Sequence, residues 1–400
     1  LVVTPNGYKA SKLYSVIPST GAGDMDVVRA TTATRVNSSG LIESVAVNVP
    51  RIDYTNGSCP SLLVEPQRTN LITYSEQFDN AAWTKLSSSI TANATTSPSG
   101  NIDADKLVES NLLGVHRCGN LSGTLNGTFS FYAKSGERTK VAIFSTIIDL
   151  GFNLSNGTLI DLGSGTSNGK IESVGNGWYR CSLYQPISIT SLYFGLLDNS
   201  GNVSYTGNGT SGAFFWGAQI ETGTYPTSYI PTVASSVTRN ADVISKTGIS
   251  SLIGQTEGTI FVEEVYDSSV LNSGGLDDTL ISLTDGTSNN LISIFHYGGG
   301  IGTILFFIRL SNTTQVAISS SKPTSGTYKI ALAYKNNDVV GYINGIQIGT
   351  DTSATIPTTS VVTFYDPITT NSATKTVNIK SAQLYKTRLT NTELAQLTTI

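Results

Sequence analysis

The feature that most constrains this chain is an apolar/polar alternation with a period of two, recurring in short runs between clusters of turn residues. Successive strand side chains point to opposite faces, so such runs form strands with one face turned inward. Trp178-Tyr179-Arg180-Cys181-Ser182-Leu183-Tyr184 puts Trp178, Arg180, Ser182 and Tyr184 on one face and Tyr179, Cys181 and Leu183 on the other. Phe129 to Ala133, following Asn126-Gly127, alternates in the same way, as do Thr259 to Tyr266 and Tyr328 to Tyr334. Ala213 to Ile220 reads as a strand buried on both sides, with Trp178 and Trp216 expected in the core. Asn344-Gly345, between Val339 to Ile343 and Ile346 to Ile348, is the signature of a two-residue type I′ hairpin. Gly298-Gly299-Gly300 predicts a second hairpin. No window of comparable length has a 3.6-residue period. One helix is predicted, after the capping box Thr390-Asn391-Thr392-Glu393, with Leu394 and Leu397 on its apolar side. The fold class is all-β.

The chain has 400 residues, more than one core usually holds at roughly 150 residues per domain. Residues 1–69, punctuated by Pro50, Pro60 and Pro66, read as an extended N-terminal connector whose apolar positions need a neighbour to bury them. Residues 70–233 have the strand and turn spacing of a first β-sandwich, 234–249 read as a linker, and 250–400 as a second sandwich. Two tandem β-sandwich domains are therefore expected.

Composition narrows the function. Charged residues make up only 13%, replaced on the surface by Ser, Thr, Asn and Gly, which suits an exposed β protein better than a helical cytosolic enzyme. With 24 basic and 28 acidic residues and no basic cluster, nothing marks a nucleic-acid partner, and no apolar run is long enough for a membrane helix. The start at Leu1-Val2-Val3 without Met reads as a processed chain or a fragment. Cys59, Cys118 and Cys181 are far apart, with no metal-ligand spacing, and are expected as buried reduced thiols.

Two stretches carry a resemblance. Arg29-Ala30-Thr31-Thr32-Ala33-Thr34, Gly40-Leu41-Ile42-Glu43, Asn48-Val49-Pro50-Arg51, Leu62-Leu63-Val64-Glu65 and Arg68-Thr69-Asn70-Leu71 run into Ile72-Thr73-Tyr74-Ser75, Phe78 and Asn80-Ala81-Ala82-Trp83. Together with Trp216-Gly217-Ala218-Gln219-Ile220-Glu221 and Tyr225-Pro226-Thr227-Ser228-Tyr229-Ile230-Pro231-Thr232, they resemble the head spike or head fibre proteins of tailed bacteriophages, over roughly residues 25–235. Gly258-Thr259-Ile260-Phe261-Val262, the Tyr342-Ile343-Asn344-Gly345 hairpin and Leu384 to Thr390 resemble a concanavalin-type, laminin-G-like jelly roll. The resemblance implies a virion-surface structural protein, carbohydrate-binding-module-like in its first sandwich. It also implies a homotrimer that joins capsid or tail proteins through its N-terminal region and touches host glycans. A tail fibre or receptor-binding adhesin is the alternative, followed by a polysaccharide depolymerase and by an accessory module pair of a secreted enzyme.

Catalytic chemistry finds little purchase. Glu263-Glu264 and Asp277-Asp278 are adjacent pairs pointing to opposite faces, and Asp24 and Asp26 follow a glycine-rich turn. His116 reads as a packed or solvent-facing side chain and His296 as a loop-tip contact. No catalytic, cofactor or metal residue is assigned. Calcium is the one ion considered, at Asp285 to Asn289 or Asp161 to Ser164, both read first as plain turns. Sugar recognition needs an aromatic platform, and Trp83, Tyr225 and Tyr297 are the loop-adjacent candidates.

Overall fold

A computed structural model describes residues 1–120, 125–267, 278–297, 303–321, 324–364 and 376–400. The hairpin expected at Gly298-Gly299-Gly300, and Asp277, lie outside them. The chain forms two compact units, one of Leu1–Ser38, Ser44–Gln67 and Asn240–Ile400, the other of Ser39–Glu43 and Arg68–Arg239. Both are antiparallel sandwiches, as the period-two pattern requires. The α-helix among the described residues is Asn391–Thr398, opened by Thr390 and Glu393 in the expected capping box.

In the first unit a continuous hydrogen-bonded path runs from Thr313–Ser319 through Thr303–Leu310, Leu291–Tyr297, Asp278–Thr284 and Val361–Phe364 to Val243–Lys246. It continues through Met25–Val28, Lys12–Ile17, Val2–Lys9 and Val377–Tyr385 to Glu257–Tyr266, Gly326–Lys335, Val339–Ile343 and Ile346–Asp351. The path curls until its ends face each other. A Cβ built on Gly341 would stand 2.6 Å from the Phe306 ring, so glycine is what allows that close approach. Asn344 (φ 49°) and Gly345 (φ 80°) both have positive φ, as a type I′ turn demands.

Two readings of the sequence need correction here. The 1–69 segment is not a bare connector: Val3, Leu13, Met25, Val27, Ile52, Leu62 and Val64 are buried in the same core as Ile260, Phe306 and Leu332. Nor are residues 243–246 a linker, since Ile244 pairs with Val27 on one side and Phe364 on the other. Their partners lie hundreds of positions away in sequence, so the local Pro and Ser content misled. A buried charge network fastens the early segment: Arg29 Nη1 donates to Asp242 Oδ1 at 2.8 Å and Arg51 Nη1 to Glu65 Oε2 at 2.6 Å. Arg51 also pairs with Asp242. Burial alone would lower the Arg51 pKa, but the charges of Asp242 and Glu65 outweigh it and raise it.

The second unit has two sheets. One runs Ser88–Thr96, Ile102–Glu109, Gly212–Glu221, Leu125–Lys134, Trp178–Ile189 and Gly169–Gly175. The other runs Thr158–Asp161, Leu150–Asn153, Lys140–Ser145, Leu192–Leu197, Arg117–Gly119 and Thr84–Leu86. Between them lie Phe129, Phe131, Ile143, Phe152, Cys181, Phe194 and Phe215, with Phe194 and Phe215 stacked at 4.5 Å. Where the chain enters and leaves the unit it closes a buried polar lock. Asn70 Nδ2 donates to the carbonyls of Ala218 (3.1 Å) and Ile230 (2.8 Å), while its Oδ1 accepts from the amides of Ile72 and Ile220. Ser75 Oγ accepts from Thr232 N at 2.9 Å and lies 2.6 Å from the Tyr229 hydroxyl.

All three cysteines are free, but the expectation that all are buried fails for Cys59, which is exposed. It sits in a turn between strands, where no sheet covers it.

Candidate functional site

Cys181 and Leu183 fill the core, so the alternation of Trp178–Ile189 turns Trp178, Arg180, Ser182 and Tyr184 onto the outer face of the first sheet. Register then builds a grid. Trp216, Tyr132, Arg180 and Glu172 form one row across four strands; Gln219, Ser130, Ser182 and Lys170 form the next; Glu221, Thr128 and Tyr184 form a third. The row spacing depends on a bulge at Gly217, whose φ of 62° keeps both Trp216 and Gln219 on the outer face.

One half of this face is roofed. The Thr128 hydroxyl donates to the Gly223 carbonyl at 2.8 Å, and Thr227 donates to Glu221 through its amide (2.5 Å) and its hydroxyl (2.8 Å). Ile230 N donates to Gln219 Oε1 at 2.7 Å, and the Tyr229 ring lies 4.6 Å from Trp216. Burial under this roof raises the Glu221 pKa, partly offset by the hydrogen bonds from Thr227 and by the charge of Arg180. Trp178 and Trp216 are buried as expected, but with Tyr132 in a second cluster outside the main core.

The other half is an open strip around Arg180. Its Nη2 donates to Ser130 Oγ at 3.1 Å, and its guanidinium lies 5.4 Å from the Tyr132 ring centroid. Nε is buried and donates to no described residue; Nη1 reaches solvent and also has no described acceptor. Glu172, the cross-strand neighbour, pairs instead with Lys170 at 2.7 Å. Lys134 stands on the same face, with no carboxylate in salt-bridge range among the described residues. Half-buried Tyr184 adds a ring, while Ser182 beside it is buried. The strip thus offers fixed cationic donors beside an aromatic surface, an arrangement suited to binding.

The three aromatic candidates from the sequence are not brought together. Trp83 is 2% exposed; its Nε1 donates to the Tyr74 carbonyl at 2.9 Å and its ring packs on Phe78 and Phe194, so it is a core residue and not a platform. Tyr225 is 6% exposed, with the Arg68 guanidinium 5.9 Å from its centroid, and also offers no open ring face. Both were misplaced because short loop-like sequence here folds back onto a sheet. Tyr297 is 43% exposed at the end of Leu291–Tyr297 in the first unit. Arg180 was missed. The alternation placed it on the right face, but only the register reveals that its cross-strand carboxylate, Glu172, is held by Lys170 and that no carboxylate hydrogen-bonds to it.

His296 is not a loop-tip residue. It is buried, with Nε2 3.1 Å from Glu264 Oε2 and the Tyr266 ring stacked on it at 4.7 Å. His116 is packed between the Ser87 carbonyl (2.6 Å) and the Tyr205 carbonyl (3.2 Å). Cys118 is pushed up to about 12 by burial, the opposite of an activated thiol. The turn carboxylates considered for calcium close their own turns: Asp161 Oδ1 accepts from Gly163 N and Gly165 N, and Asp285 Oδ1 from Thr287. Among the described residues no group of three or more His, Cys, Asp or Glu side chains is placed to hold a metal. No helix among them is long and apolar enough to cross a membrane.

No family model and no curated protein matches this sequence. Among solved structures, the chain is similar to the CBM40 module of Ruminococcus gnavus IT-sialidase, at 18% identity and TM-score 0.31, covering 37% of this chain and 85% of that one. It is also similar to a botulinum neurotoxin type C chain, at 15% identity and TM-score 0.31, covering 40% and 39%. A third is the heptameric SAP-like pentraxin of Limulus polyphemus, at 14% identity and TM-score 0.26, covering 36% and 70%.

Proposed function

We propose that this chain is a non-catalytic structural protein of a tailed-phage virion surface, a head fibre or spike, whose second unit meets host glycans along the open strip around Arg180. The observation that supports the structural role is the fate of the residues carrying the phage resemblance. Asn70, Ser75, Gln219, Glu221, Thr227, Tyr229 and Thr232 all take part in the buried lock and roof that pin both ends of the unit. Such a lock makes a rigid bead and performs no bond-breaking. The half-buried cations and Tyr184 beside the roof support the contact role.

Antibody labelling of purified particles, seen by electron microscopy, tests the location. Label on the head or a surface appendage is expected, and particles that never carry the chain would refute the virion reading. Mass in solution tests the homotrimer that the resemblance implies. Binding of the purified chain to immobilised host surface polysaccharide tests the contact role, and release of new reducing ends would refute the non-catalytic one.

A further inference from the structure

The glycan-contact reading leaves the class of glycan open, and the chemistry of the strip narrows it. We infer that the open strip selects an acidic glycan, one bearing a sugar carboxylate, which Arg180 grips with support from Lys134. This inference rests on the proposed glycan contact at the same face.

Arg180 is the reason. A half-buried guanidinium has lost part of its hydration, and an arginine on a sheet face ordinarily recovers that loss by pairing with a carboxylate. Here the cross-strand carboxylate, Glu172, is taken by Lys170. Arg180 keeps one neutral hydrogen bond, to Ser130, and the face of Tyr132. Those two contacts hold the guanidinium plane still, the charge of buried Glu221 reaches it without a hydrogen bond, and a planar fork held in that way matches a carboxylate. The surrounding charge agrees. Around Arg180 the outer face carries three cations, Lys134, Lys170 and Arg180, against two carboxyls, Glu172 and the buried Glu221, whereas the whole chain has a net charge of -4. A locally cationic patch on an acidic protein favours an anionic partner over a neutral one. Half-buried Tyr184, on the same strand and face as Arg180, supplies the ring surface that a pyranose needs and an acidic peptide does not.

The test measures binding of the full-length chain to hyaluronan and polygalacturonate oligosaccharides, with dextran and maltohexaose as neutral probes and polyglutamate as a non-sugar polyanion. The uronate oligosaccharides are expected to bind and the neutral ones to bind at least tenfold more weakly. Arg180→Gln is expected to weaken uronate binding by about 30-fold or more, as loss of one side of a desolvated charge pair does, with an unchanged melting transition. Lys134→Gln, a solvent-edge change, should weaken binding several-fold and reduce its salt sensitivity, since one screened charge contact is gone; it serves if the arginine variant does not fold. Neutral and acidic probes binding alike, with no effect of either variant, would overturn the acidic-glycan inference and leave the glycan contact standing. No binding to any sugar would remove both. Polyglutamate binding as well as the uronates, with the same Arg180 dependence, would replace sugar recognition with a polyanion site.

Discussion

Glu109 illustrates how a single residue in this protein is set by its partners. Its side chain is buried, which by itself raises a carboxyl pKa, yet Arg138 donates to it through Nε (2.6 Å) and Nη2 (2.7 Å), Asn208 N donates at 2.9 Å and the Tyr205 hydroxyl at 2.8 Å. The result is a lowered pKa. A carboxyl lowered in the folded state stabilises the fold above its unfolded value, about 4.3, and that contribution is lost as pH falls through the folded value. Glu109→Gln should therefore cost on the order of 2 kcal/mol at neutral pH and flatten the acid limb of a stability-versus-pH curve measured by urea titration. An acid limb identical to that of the parent chain would rule this out. The cysteines give a second prediction at this scale. Burial raises the pKa of Cys118 and Cys181 while Cys59 is exposed, so Ellman's reagent should modify one thiol quickly in the native protein and the other two only on unfolding. Rapid modification of all three would contradict the burial described.

At the scale of elements, the hairpin at Asn344-Gly345 and the capped helix Asn391–Thr398 were readable because their signals are local: two residues that tolerate positive φ, and a hydroxyl three positions before a glutamate. The bulge in Gly212–Glu221 was not readable. Gly217 looks like an ordinary glycine in an apolar run, and only pairing with Leu125–Lys134 shows that it absorbs a register shift between Ser130 and Tyr132. A Cβ there would stand 3.0 Å from the Tyr132 ring on a backbone with φ of 62°. Gly217→Ala is expected to cost about 1–2 kcal/mol and to disturb the Tyr132–Arg180 contact, so it should weaken glycan binding as well as lower the melting temperature. A variant with the parent's stability and binding would mean that the bulge does not set the grid.

For the molecule as a whole, the strands of residues 1–67 complete the sheet and core formed by residues 240–400. A fragment of residues 240–400 would expose the edge of Val377–Tyr385 that Val2–Lys9 and Ser61–Val64 cover. It would also open the core where Leu13, Met25 and Val27 sit. Unpaired edges and uncovered apolar surface favour aggregation, so this fragment should be insoluble or melt without cooperativity. A soluble fragment with a sharp thermal transition would restore the connector reading of 1–69.

What the amino-acid order determined by itself was everything that repeats locally: the all-β class, the two-sided strands, the type I′ hairpin, the capped helix and the face shared by Trp178, Arg180, Ser182 and Tyr184. What only the tertiary structure decided was which distant pieces meet. Strands pair through backbone groups that every residue carries, so the sequence does not mark that Val27 lies against Ile244, or that Asn70 reaches Ile230. The candidate site follows the same division. Alternation put Arg180 on the outer face, but that no carboxylate hydrogen-bonds to it arises from register, because Glu172 across the strand is already held by Lys170.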